Sequence, residues 1–170
     1  MKDYRFDREY MECVSDILEH PVFNRLDEFT QHAGSSRRDH CIQVSYLAYT
    51  ICKKRGMDYV SAARAGLLHD LFLYDWKDVY RRFGSLYHGF DHPKAALGNA
   101  EKYFELNDKE RNIILRHMFP LTLIPPRYAE GLVINYADER CCAAEVFSVM
   151  RAKMQDRYRR QAVKAQSARG

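Results

Sequence analysis

Ala65-Gly66-Leu67-Leu68-His69-Asp70 is an apolar run that ends in an adjacent imidazole and carboxylate, with His40 upstream and His92, His117 and Asp138 downstream. A neutral imidazole offers a nitrogen lone pair and a carboxylate two hard oxygens, so such a set in apolar surroundings suits a divalent transition metal. A carboxylate buried there without a partner would be costly. Mixed nitrogen and oxygen ligation admits Mn, Fe, Co, Ni or Zn.

Helices must position these groups. No run of alternating apolar and polar residues is long enough to propose a sheet, and the chain reads as an all-α helical bundle. A first helix is expected over 7–19, stopping before Pro21, and a second over 21–32 with Val22, Leu26 and Phe29 at core spacing. Ser35 or Ser36 can cap the next helix, which ends at Gly56. Along it His40, Val44, Leu47 and Ile51 share the inward stripe. Asp58 can cap a fourth helix whose small residues at 62, 63, 65 and 66 allow close packing on its predecessor, bringing His40 toward His69-Asp70. Residues 71–89, rich in aromatic side chains, are expected to be irregular or short-helical. Asp91-His92-Pro93 is expected to start a helix, with Asp91 as cap and His92 at its mouth. Asn107 or Asp108 opens the helix that ends near His117. A last long helix begins near Arg127, with Ile134, Asp138, Cys141 and Glu145 facing inward.

The ordered set His40, His69-Asp70 and Asp138, in this helical context, resembles the HD superfamily of metal-dependent phosphohydrolases over approximately residues 36–142. The resemblance implies a single HD-type domain and one metal held by those four residues. It further implies that His92 and His117 are the added ligands of the binuclear branch, in which the doublet carboxylate, here Asp70, bridges two ions. Six ligands are more than one tetrahedral zinc uses. The implied activity is hydrolysis of a phosphoester or phosphoanhydride of a nucleotide, a small-molecule substrate, by a hydroxide bridging the metals. Asp70 is then the residue bound most closely to the chemistry. Two alternatives stand beside it: a mononuclear nucleotidase in which His92 and His117 bind phosphate, and a non-catalytic nucleotide-sensing module. Leu71-Phe72-Leu73-Tyr74-Asp75 lacks the lysine common after the doublet in cyclic-dinucleotide phosphodiesterases, which argues against that substrate.

Substrate contacts are expected from Arg37, one turn before His40, whose guanidinium suits phosphate, and from Lys94. His88, Tyr87 and Phe119 are expected to border an entrance between the His88–His92 segment and the Met118–Pro126 loop, the aromatic rings offering surfaces for a base. His20 and His32 hold no motif position, and Cys141-Cys142 reads as core packing.

At 170 residues the chain is one domain, large enough to bury a core. Five cysteines without a Cys-x-x-Cys pair indicate neither a disulfide framework nor a zinc ribbon. Residues 151–170 carry seven Lys or Arg against one acid, leaving a near-neutral body and a basic C-terminal helix or tail. That tail reads as solvated, so nucleic acid is not the expected partner. No apolar run approaches the ~20 residues of a membrane span and the N-terminus is charged, so a cytoplasmic protein is expected.

Overall fold

The computed structural model describes residues 3–31, 35–83 and 85–167, apart from the side chains of 79–80, 83, 85–88 and 161–167. Eight α-helices make up the described chain: α1 (Arg8–Leu18), α2 (Pro21–Asn24), α3 (Arg37–Lys54), α4 (Tyr59–Leu68), α5 (Trp76–Phe83), α6 (Ser85–Tyr103), α7 (Asp108–Arg116) and α8 (Ala129–Ser167). Among the described residues the sole β pairing is an isolated bridge between Thr30 and Ser36. None of the described helices is long and apolar enough to cross a membrane.

Side-chain caps set most starts. Asp7, Ser36 and Asp58 accept from the backbone N–H groups of Tyr10, Asp39 and Ser61, and Asn107 forms a reciprocal capping box with Glu110. α3 stops at Gly56, whose φ of 65° is the left-handed conformation that glycine adopts without a steric penalty.

Two expected elements differ. The helix expected over 21–32 is α2 followed by a 3-10 turn, Arg25–Glu28, after which Phe29 is extended. Here the backbone bonds across a loop instead, Arg37 N–H to the Phe29 carbonyl at 2.9 Å and Gln31 N–H to Ser35 at 2.8 Å, which turns Gln31 into the core. The helix expected to start at Asp91 instead begins at Ser85 and runs through Pro93. Proline costs it the bond to the Gly89 carbonyl, but Gly89 is buried beneath the 118–121 turn.

α4 is the central helix, packed against α1, α3, α6, α7 and α8. Seven of its ten residues are buried. Its closest approach is to α3: a Cβ on Gly66 would lie 2.6 Å from Ser45 Cα. Ser45 Oγ donates to the Ala63 carbonyl at 2.6 Å and lies 2.8 Å from the Tyr10 hydroxyl, tying α1, α3 and α4 together. The C-terminal end of α4 thus points its next two residues, His69 and Asp70, to where α3, α6, α7 and α8 converge.

Candidate metal centre

His40 from α3, His69 and Asp70 after α4, His92 from α6, His117 after α7 and Asp138 from α8 meet in one cluster. All but Asp138 are buried, and its side chain is 19% exposed. The ligand atoms of His40, His69 and Asp70 lie within 4.8 Å of one another, as do those of Asp70, His92 and His117, so Asp70 belongs to both groups.

The imidazoles are oriented by what their other nitrogens hold. His69 Nδ1 donates to the Gly66 carbonyl and His117 Nδ1 to the Ile114 carbonyl, each at 2.8 Å and three residues back. Both Nε2 atoms are therefore turned into the cluster. His69 Nε2 is 3.7 Å from Asp70 Oδ2 and 3.9 Å from Asp138 Oδ1. On the other side Asp70 Oδ1 is 3.4 Å from His92 Nε2 and 3.7 Å from His117 Nε2. His40 is held at both ends, Nε2 at 3.0 Å from Asp138 Oδ1 and Nδ1 at 3.0 Å from Glu145 Oε1.

His69 Nε2 and Asp70 Oδ1 are buried without a hydrogen-bond partner. Such atoms are expensive in a protein interior. Ligands of one ion at about 2.1 Å lie roughly 3 to 3.5 Å apart, and this cluster has that scale. The donor set fits divalent ions.

Electrostatics agree with that use. Burial opposes ionisation of Asp70, but His69, His92, His117 and His40 outweigh it and hold the carboxyl below its ordinary range. Asp138 is likewise brought down to about 2, its burial being overcome by the His40 bond. His117 is pushed down to about 3 by burial and by neighbouring histidines, and so stays neutral. Both carboxylates are charged and His117 is a bare donor at neutral pH.

Three residues that the motif does not contain complete the surroundings. Glu145 accepts from His40 Nδ1 and from Ser35 Oγ, the latter at 3.0 Å; its place on the inward stripe of α8 was its signal. Gln31 Nε2 donates to Asp70 Oδ2 at 3.0 Å, and nothing in its sequence context announced this. Cys142 Sγ lies 3.5 Å from Asp138 Oδ1, and burial with that carboxylate raises its pKa, so it remains a thiol that donates. Core packing describes buried Cys141 but not Cys142.

Of the expected substrate contacts, Arg37 is placed otherwise. Its side chain is fully buried, neither solvated nor turned toward an open face. The guanidinium donates to the Phe72 and Tyr74 carbonyls and to Gln31 Oε1, lying 3.6 Å from the Phe72 ring centroid and 4.9 Å from that of Phe29. Lys94 is exposed and Phe119 half-buried. The side chains of Tyr87 and His88, and the whole of His32, lie outside the described residues. The expected entrance is bridged at one point, since a Cβ on Gly89 would come 2.5 Å from Leu121 Cδ2.

The family model described as HD domain matches residues 37–151. No match was found among curated proteins or among solved structures.

Proposed function

Because the chain belongs to the HD domain family, we propose that it is a metal-dependent phosphohydrolase with two ion sites, cleaving a phosphoester or phosphoanhydride of a nucleotide. The observation that carries the two-site reading is the division of one carboxylate: Asp70 Oδ2 faces His69, while Oδ1 faces His92 and His117. His40, His69 and Asp138 would hold one ion with Asp70, and His92 and His117 the other. When bound, the ions supply Lewis acidity toward phosphoryl oxygens and lower the pKa of water to near neutrality.

The chain's own residues prepare that chemistry. Backbone carbonyls orient the rings of His69 and His117, and His117, uncharged at neutral pH, has no proton to shed from Nε2. The carboxylates of Asp70 and Asp138 are already ionised, supplying two negative charges that favour cations at this point. Gln31 donates to Asp70 Oδ2, the oxygen that faces His69, and so fixes the carboxylate's orientation. Burial of the cluster keeps the local dielectric low, which strengthens each of these interactions.

The test is hydrolysis of a generic phosphodiester and of a nucleotide panel with added manganese or iron(II), in wild type and Asp70→Ala. Metal-dependent turnover that vanishes together with bound metal in the variant supports the reading. Unchanged metal and activity in Asp70→Ala refute it. Tight nucleotide binding with no product would instead identify a sensing module.

A further inference from the structure

α8 carries a second, exposed apolar stripe besides its inward one. Leu132, Tyr136, Phe147, Met150, Met154 and Tyr158 recur at steps of four, eleven, three, four and four, which keeps them on one side of a 3.6-residue helix. All six are exposed, Phe147 at 70% and Tyr158 at 66%. The inward stripe ends at Glu145, and none of the described side chains from 146 to 160 is buried. The helix therefore continues past the body it packs on.

Taking about 200 Å² for a fully exposed large side chain, the six leave roughly 700 Å² open, near the ~800 Å² that each partner gives to a standard interface. Apolar surface of that size along one helix face, interrupted only by Glu139, Arg140 and Ala143 between Tyr136 and Phe147, marks a protein interface.

We propose that α8 pairs with the α8 of a second copy of this chain, antiparallel, with the two-fold axis near Phe147. Charge sets the direction. Arg151, Lys153, Arg157, Arg159 and Arg160 stand against Asp156, so a parallel pair would lay two basic segments side by side. About Phe147, an antiparallel pair sets Tyr158 across from Tyr136 and sets Glu139 across from residue 155, between Lys153 and Arg157. Glu139 and Arg157 are eighteen residues apart, five full turns, and so share a flank. Antiparallel helices bring like flanks together, which gives a Glu139–Arg157 ion pair on each side of the axis. Arg140 falls across from Met154, where its stem covers apolar surface and its head reaches water. Beside Tyr136 a groove of about 550 Å³, lined by Ile51, Arg55, Met57, Leu132 and Val133 among others, receives Tyr158 of the second copy.

Sedimentation equilibrium of the full chain, taken up to about 100 µM so that a micromolar dimer would register, should give the mass of two chains. Phe147→Glu and Met150→Glu should each halve it. Metal content per chain should stay at the wild-type value, and so should the melting temperature at concentrations where the wild type is itself monomeric, because both side chains are exposed. Glu139→Arg should weaken association about tenfold, and adding Arg157→Glu should restore most of the loss. A wild-type monomer at the highest concentration overturns the proposal, as does a dimer indifferent to Phe147→Glu. A monomer that floats with phosphatidylserine vesicles through the same stripe overturns it in favour of a lipid surface. Absence of the Glu139 effect or of its rescue refutes the antiparallel register.

Discussion

The Nε2 atoms of His92 and His117 lie 2.8 Å apart across Asp70 Oδ1. His117 has its Nδ1 hydrogen committed to the Ile114 carbonyl, so His92 is the donor in this contact and His117 the acceptor. Two imidazole nitrogens this close form a clasp that would hold one ion. Loss of either ring should open the clasp alone. His117→Ala is expected to lower metal content from about two ions per chain to about one, measured by elemental analysis after exhaustive dialysis. A variant that keeps both ions, or a wild type that binds a single one when saturated, contradicts the division of the cluster.

The ion-free centre should bind metal more tightly as pH rises. Burial opposes a charge on His40, but the bonds to Asp138 and Glu145 outweigh it and carry its pKa up to about 10. An ion at Nε2 must expel that proton, whereas Asp70, Asp138 and His117 have none to give at neutral pH. Affinity should therefore increase about tenfold per unit from about pH 7 to 9, read by competition with a chelator corrected for its own protonation. The same shift stabilises the ion-free fold. Because the folded value is raised, that contribution is complete below the ordinary 6.5 and disappears as pH climbs through about 10. Denaturant midpoints of chelator-treated protein should fall across that window, and a flat profile in both measurements would mean that His40 is already neutral.

Glu145 keeps the His40 ring in its working orientation. It accepts from Nδ1 while Nε2 faces Asp138, an arrangement of carboxylate behind ligand that raises the basicity of the imidazole. Glu145→Ala should weaken the ion held by His40 about 10- to 100-fold and leave the ion at His92 and His117 in place. Titration calorimetry with Mn(II) separates the two sites. Equal weakening of both would show that the substitution acts through the fold instead.

Legibility in the sequence followed periodicity and short-range chemistry. The caps at Ser36, Asp58 and Asn107 and the stop at Gly56 rest on bonds within a few residues, and each is where local reasoning puts it. Inward stripes on α3 and α8 likewise point His40 and Asp138 the right way, because 3.6-residue spacing decides the face. Contacts set by tertiary context were not legible. Gln31 reaches Asp70 across 39 positions once Phe29 has left helical geometry, and no periodicity along the chain marks such a contact. Pro93 looked like a helix start, yet α6 passes through it, and Gly89 one turn before it is buried beside Leu121. Arg37 looked like a phosphate ligand because its type and spacing suit one, while its burial depends on carbonyls 35 and 37 residues away.

Arg37 is expected to act on stability. Its fork satisfies the Phe72 and Tyr74 carbonyls and Gln31 Oε1, which steadies the stretch following Asp70. Burial lowers its pKa, an unfavourable setting for a cation that its partners offset. Arg37→Leu removes all these donors and should cost about 3 kcal/mol or more in urea denaturation, with the Michaelis constant per folded molecule unchanged. A raised Michaelis constant at wild-type stability would restore the phosphate-binding role.

The distance between α3 and α4 governs whether the two halves of the first ion site meet. Gly66 lies three residues before His69, Ser45 five residues after His40, and the rings of His40 and His69 are 5.6 Å apart. A Cβ at position 66 would stand 2.6 Å from Ser45 Cα and 3.1 Å from its nitrogen, and backbone atoms cannot step aside as a flexible side chain can. Gly66→Ala must therefore wedge the helices apart and strain the Ser45 bonds to Ala63 and Tyr10. Overpacking of this kind costs about 1 to 3 kcal/mol, more than the roughly 1 kcal/mol that alanine returns through helix propensity. Gly98→Ala supplies the control: a Cβ there meets nothing within 4 Å, so propensity acts alone and α6 should gain up to about 1 kcal/mol. Opposite signs in urea denaturation, with metal affinity falling in Gly66→Ala and unchanged in Gly98→Ala, are the expected result. A Gly66→Ala protein as stable and as tightly metallated as wild type would show that the close approach of the two helices is not what holds His40 against His69.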